Sequence, residues 1–234
     1  MQPEVLIRPL PRALSVEAVL FDLDGTLADS AGDLAGAVNR VRHDRGLQPV
    51  PVELLRPHAS AGARGLLGAG MGVTPDHAEY PLLRDRFLAY YAFGLAETTE
   101  LFEGVAPLLD AIERRGLRWG IVTNKARRFT EPVVDALGLA PRAGAIVSGD
   151  TTAHAKPHPA PLLHAASLLD VAPSRCVYVG DDLRDVVAGN AAGMPTIVAE
   201  YGYLGAPGCA DDWPATGWIA EPLALLDWLP ERSR

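Results

Sequence analysis

Two aspartates one residue apart, Asp22 and Asp24, followed by Gly25-Thr26, stand where a hydrophobic run over residues 16–21 stops. Glu17 is the only charge in that run, so it reads as a strand buried on both faces of a parallel sheet. Aspartate is depleted in strands and costly to bury without a partner. Two of them at a strand's C-terminal end call for a compensating charge, and a divalent cation is the natural one. Side chains alternate along extended chain, so Asp22 and Asp24 point the same way. One such carboxylate can attack as a nucleophile while the other carries a proton. Three further motifs stand in positions that could serve the same chemistry. Thr123-Asn124-Lys125 ends a later strand, Lys156-Pro157 precedes a helix, and Gly180-Asp181-Asp182-Leu183-Arg184-Asp185 follows another strand. Alone, each is an ordinary turn, cap, surface lysine or loop; their joint occurrence in this order is far more specific.

The elements that must position these groups alternate from about residue 100 onward. Short β-branched runs at 118–123, 143–148, 175–179 and 196–199 are interleaved with amphipathic stretches at 103–116, 129–137, 157–169 and 183–192. With the first run this makes five strands, and a Rossmann-like α/β fold whose parallel sheet is covered by helices on both faces. Such sheets bind ligands outside the carboxyl ends of their strands. Residues 31–98 break the alternation, with helix-like stretches at 34–45, 52–57 and 80–95 and no convincing strand. A helical insert directly after the first strand sits above that edge, where it can act as a lid. Its Gly-rich segment 60–72 lacks the Gly-Lys-Ser/Thr ending of a phosphate loop and reads as a loop of the insert. Arg64, within it, is the cation expected to face a substrate. His154, His158 and His164 read as a loop and helix start rather than as a zinc cluster.

Composition narrows the function classes. The 234 residues suffice for a full core, and 48% hydrophobic with 21% charged residues is ordinary globular content. A net charge of −8 argues against nucleic-acid binding and requires an anionic substrate to be met by local cations. No apolar segment approaches the roughly 20 residues that span a bilayer. The first fifteen residues carry Pro3, Pro9 and Pro11 and do not read as a secretory signal. Of the two cysteines, Cys176 and Cys209, the first lies in a strand-like run and reads as a reduced, packed thiol. A cytoplasmic location is the expectation, while monomer and homodimer stay open.

The four motifs resemble, in order and across nearly the whole chain, those of haloacid dehalogenase-superfamily phosphatases. The longer strings, including Arg128-Phe129, His154 and residues 201–203, are similar to the branch holding phosphoglycolate and N-acetylmuramic acid 6-phosphate phosphatases. That resemblance implies a core of residues 1–30 and 99–234 and a helical cap domain of residues 31–98. It implies hydrolysis of a small carboxylated phosphate monoester, with 2-phosphoglycolate first and N-acetylmuramate 6-phosphate or a phosphomutase reaction as alternatives. Asp22 is then the nucleophile that becomes phosphorylated, and Asp24 the general acid and base. Mg²⁺, which suits an all-oxygen site, would be held by Asp22, Asp181 and the backbone carbonyl of Asp24. Asp182 and Asp185 would be further metal groups or supports of the ligands, a choice left open. Thr123, Asn124 and Lys156 would hold the phosphoryl oxygens, with Lys156 also keeping Asp22 ionised. Arg64 would meet the substrate carboxylate.

Overall fold

The computed structural model describes residues 11–205, 208 and 210–231; Cys209 and residues 1–10 of the expected core segment lie outside them. Strand β1 (Ala18–Phe21) is wholly buried, and its side chains divide between two cores. Val19 and Phe21 face one, Ala18 and Leu20 the other. A run apolar at every position is what a strand covered on both faces requires. The chain then forms a two-residue strand β2 (Ala28–Asp29) and four helices, α1 (Ala31–His43), α2 (Val52–Leu55), α3 (Gly62–Met71) and α4 (Tyr80–Phe93). It returns through β3 (Glu100–Leu101), which pairs antiparallel with β2.

The alternation follows: α5 (Val105–Arg114), β4 (Arg118–Val122), α6 (Arg127–Ala136), β5 (Ala145–Val147), α7 (Ala160–Leu168), β6 (Cys176–Gly180), α8 (Leu183–Ala191), β7 (Thr196–Ala199) and finally β8 (Gly217–Ile219). The main sheet has six strands in the order β5-β4-β1-β6-β7-β8, all parallel to their neighbours. β1 therefore lies centrally, with β4 and β6 on either side. The fold is the expected parallel α/β sheet with an additional strand, β8, and a ribbon β2/β3 at the root of the insert. No helix among the described residues is long and apolar enough to cross a membrane.

The four inserted helices close on a core of their own, with Leu34 and Val38 of α1, Leu66 and Leu67 of α3, and Leu83 and Phe87 of α4. Burying each such side chain contributes about 1.5–3 kcal/mol. Phe129 of α6 and Tyr203 join this cluster from the sheet side. The connection back is pinned by Asp33 of α1, whose carboxylate accepts the backbone N–H and hydroxyl of both Thr98 and Thr99. Segment 60–72, expected as a loop, is instead mostly α3. Its glycines let the helix pack tightly: a Cβ at Gly70 would lie 2.5 Å from Cγ1 of Val38.

Candidate active site

The ends of β1, β4 and β6 place the functional side chains on one floor, because parallel neighbours end together and the chain turns there. Asp22 follows β1, Thr123 follows β4, and Asp181 follows β6. Above them a cavity of about 320 Å³ opens between sheet and insert. Asp22, Asp24, Thr123 and Lys156 line it from below, with Leu34, Phe87 and Tyr91 from the inserted helices opposite.

Lys156, only 4% exposed, is the hub of the floor. Its Nζ sits 2.9 Å from Asp22 Oδ1 and 2.7 Å from Asp185 Oδ1. It also donates to the Val122 carbonyl at 2.9 Å, and it lies 2.7 Å from the Tyr178 hydroxyl. Asn124 fixes the lysine's backbone, its amide nitrogen donating to the Lys156 carbonyl and its oxygen accepting the Lys156 N–H, both at 2.9 Å. Asp181, fully buried, accepts from the Ser60 hydroxyl at 2.8 Å and the Tyr203 N–H at 2.9 Å. Two glycines admit it: a Cβ on Gly25 would fall 2.1 Å from Asp181 Oδ2, and one on Gly202 2.4 Å from Asp181 Cβ. Gly25 also has a φ of +87°, a conformation only glycine adopts freely.

Asp22, Asp181 and Asp185 each bring one oxygen within 4.8 Å of the others. Three buried carboxylates gather around one ammonium, and the imbalance shows in the titration of Asp22 and Asp181. Burial pushes the Asp22 carboxyl up to about 7; Lys156 pulls it down, but Asp185 and Asp24 push it back. The expected dominance of Lys156 over Asp22 therefore does not hold in the protein alone. Burial, together with Asp22 and Asp185, raises Asp181 well above the carboxylate range. Lys156 is raised too: burial opposes its charge, but Asp185 and Asp22 outweigh burial. Fully ionised, such a floor is two positive charges short of neutrality, and its all-oxygen donors suit a hard divalent cation.

Asp182 has another occupation. It caps α8, accepting the Arg184 N–H at 2.8 Å, and pairs with the Arg184 guanidinium at 2.7 Å. Asp185 accepts the Asp182 N–H in return and reaches the floor through its other oxygen. Asp24 stands beside the cluster. Its Oδ1 accepts from the Ser30 hydroxyl at 2.6 Å and from Lys125 Nζ at 2.9 Å, and Lys125 also reaches the Tyr91 hydroxyl of α4 at 2.8 Å. Arg64 is exposed on α3 and is absent from the cavity wall, where Lys125, Arg128, Lys156 and Arg184 are the cations. Lys125 and Arg184 sit inside the motifs read from sequence, yet nothing in those strings says they engage Asp24 and Asp182. Ser60 and Tyr91 carry no sequence signal, since only the packing of the insert brings them over the floor.

The haloacid dehalogenase-like hydrolase model matches residues 16–193. An N-acetylmuramic acid 6-phosphate phosphatase of Pseudomonas aeruginosa is 40% identical over 218 residues, 93% of this chain and 96% of that protein. A phosphoglycolate phosphatase of Xanthomonas campestris pv. campestris is 42% identical over 213 residues, 91% of this chain and 95% of its own length. A crystal structure of a protein assigned as a phosphoglycolate phosphatase, from Lactobacillus delbrueckii subsp. bulgaricus, superposes with a TM-score of 0.80. At 22% identity, covering 91% of this chain and 97% of that one, it bears on the fold alone. Matched by this model over most of its length and by phosphatases over nine-tenths of it, the chain belongs to the haloacid dehalogenase-like hydrolases and is a phosphatase.

Proposed function

We propose that the chain hydrolyses a small, carboxylated phosphate monoester in two displacements at Asp22, with 2-phosphoglycolate the first candidate substrate. The observation that carries this is a buried carboxylate at the end of the central strand, flanked by one lysine and two further carboxylates on the floor of the cavity between sheet and insert. The relatives named above support the substrate class. N-acetylmuramate 6-phosphate is the alternative, because a relative of that name is nearly as similar as the phosphoglycolate phosphatase.

Asp22 attacks phosphorus, the ester oxygen departs, and an acyl phosphate is left on the carboxylate. Asp24 supplies the proton to the leaving oxygen, then takes one from the water that attacks the phosphoryl group, and Asp22 is released unchanged. Lys125 and Ser30 both engage Asp24 Oδ1, and among the described residues Oδ2 takes no hydrogen bond, which makes it the atom that carries the proton. Lys156 lies against Asp22 Oδ1 and is placed to hold the transferring oxygens as charge redistributes. The Thr123 hydroxyl, on the cavity wall, is the second donor in reach of them. Asn124, whose side chain clamps Lys156, positions that lysine.

The three floor carboxylates fit Mg²⁺ in charge and donor type, with Asp22 and Asp181 as its holders and Asp185 beside them. When bound, such an ion neutralises the repulsion between the attacking carboxylate and the phosphate. Residues 31–98 act in this reading as the cap that excludes water, supported by Ser60 and Tyr91 reaching the floor residues from that side. A cytoplasmic setting belongs to the same proposal; the buried, free thiol of Cys176 is consistent with it.

Phosphate release from 2-phosphoglycolate, N-acetylmuramate 6-phosphate and an aryl phosphate, with Mg²⁺ and with EDTA, tests the reading. Turnover that EDTA stops and Asp22→Asn abolishes is expected. Metal-independent turnover, or activity retained by Asp22→Asn, would overturn it.

A further inference from the structure

The cations of the cavity are not equivalent once their partners are counted. Lys125 is paired with Asp24 at 2.9 Å, Lys156 with Asp22 and Asp185, and Arg184 with Asp182 at 2.7 Å. Arg128 also lines the cavity, yet no carboxylate pairs with it among the described residues. Its guanidinium lies instead over the ring of Phe129, 4.6 Å from the centroid. That ring is itself held: Phe129 is 6% exposed and packs on Tyr91 with the centroids 5.4 Å apart. An arginine propped on a fixed aromatic face keeps its planar fork ordered, so it loses less freedom when it binds an anion.

The surroundings say what kind of anion this is. The phosphate end of the cavity already has Lys156 and the floor carboxylates' cation site, whereas the wall from α1 and α4 is apolar, with Leu34, Phe87 and Leu88. A molecule filling this cavity thus meets charge at the floor, apolar side chains from α1 and α4, and one guanidinium with no carboxylate partner among the described residues. We propose that Arg128 is the specificity-determining residue, binding a carboxylate that the substrate carries away from its phosphate through charge-assisted hydrogen bonds. This rests on the phosphatase reading and deepens it. It gives Arg128 the role that the sequence suggested for Arg64; both side chains are exposed, but Arg128 lines the cavity and Arg64 does not.

The test compares substrates with and without the carboxylate, the sugar pair differing by the whole lactyl ether that carries it. The pairs are 2-phosphoglycolate with 2-hydroxyethyl phosphate, and N-acetylmuramate 6-phosphate with N-acetylglucosamine 6-phosphate. In the full-length, Mg²⁺-loaded protein, Arg128→Ala lowers the ratio of kcat/KM for the preferred carboxylated substrate over its partner by roughly 10- to 100-fold, the size expected of a charge-assisted pair. The loss sits chiefly in KM, and Arg128→Lys, keeping the charge without the fork, restores part of it. Equal losses on both members of a pair would assign Arg128 to the shared phosphate and overturn the inference. So would unchanged kcat/KM on every substrate. Failure of the wild-type protein to cleave any of the four esters would overturn the phosphatase reading itself, a result distinguishable from either.

Discussion

Replacing Asp22 with asparagine should stabilise the metal-free protein at neutral pH while abolishing its activity. The Asp22 carboxyl titrates near 7 in the folded chain against an ordinary 3.8, first through burial, with Lys156 opposing and Asp185 adding to the rise. Between those values the folded protein keeps a proton that the unfolded chain releases, so stability falls as pH rises through this window. The deficit is absent below 3.8 and complete above about 7. At about 1.4 kcal/mol per pH unit it reaches about 4 kcal/mol, and coupling to the raised carboxyl of Asp181 brings it to about 2–4 kcal/mol. Asparagine keeps the shape and an acceptor for Lys156 and has no such titration. Unfolding entropy for a chain of this length is about 0.5 kcal/mol per degree. The Tm advantage of Asp22→Asn over wild type, in EDTA, should therefore grow by about 4–8 °C between about pH 4 and about pH 8. Mg²⁺ should erase the advantage, because the cation neutralises the wild-type carboxylate and has less to bind in the variant. Paired thermal melts across that range give the answer. A Tm difference that does not change with pH, or a variant that loses ground as pH rises, would refute the charge accounting of this floor.

Lys156→Met removes the ammonium that faces Asp22 and Asp185; it should cost about 3–5 kcal/mol in denaturant unfolding at neutral pH without metal and eliminate turnover. Gly202→Ala would set a Cβ 2.3 Å from the Gly25 carbonyl and 2.4 Å from Asp181 Cβ, so the Mg²⁺ concentration for half-maximal activity should rise about tenfold or more; an unchanged requirement counts against Asp181 as a metal holder. Tyr91→Phe deletes the hydroxyl that joins α4 to Lys125 and hence to Asp24; kcat should fall about 3- to 10-fold with little change in KM, and an effect on KM alone would speak against that connection.

What the sequence made legible is what local pattern encodes. β1, β4 and β6 announce themselves as largely apolar runs that end at Asp22, Thr123 and Asp181, and β7 as a short β-branched run, because a strand buried on both faces leaves little room for polar side chains. β8 did not, since Gly217–Ile219 is three residues long and gains its strand character only by pairing with β7. α3 was hidden by its glycines, one of which, Gly70, is required by the proximity of Val38 on another helix. The motifs were readable because three of them sit at strand ends and the fourth, Lys156-Pro157, leads into α7. Their couplings were not: Asn124 turned toward the Lys156 backbone, Ser60 on Asp181, and Tyr91 on Lys125 all depend on residues tens of positions apart meeting in space. Arg64 was legible only as a cation of the insert; the packing leaves it off the cavity wall, while Arg128 of α6, also exposed, lines the cavity.

The central claim is that the carboxyl of Asp22 carries the phosphoryl group during turnover. Enzyme denatured while cleaving substrate, reduced with borohydride and mapped by peptide mass spectrometry, addresses it directly, because an acyl phosphate is reduced to the alcohol whereas a free carboxylate is not. Homoserine at position 22, missing without substrate, is the predicted product. Reduction at another carboxylate, or an unmodified Asp22 in enzyme trapped at substrate saturation under conditions that slow dephosphorylation, would contradict the account.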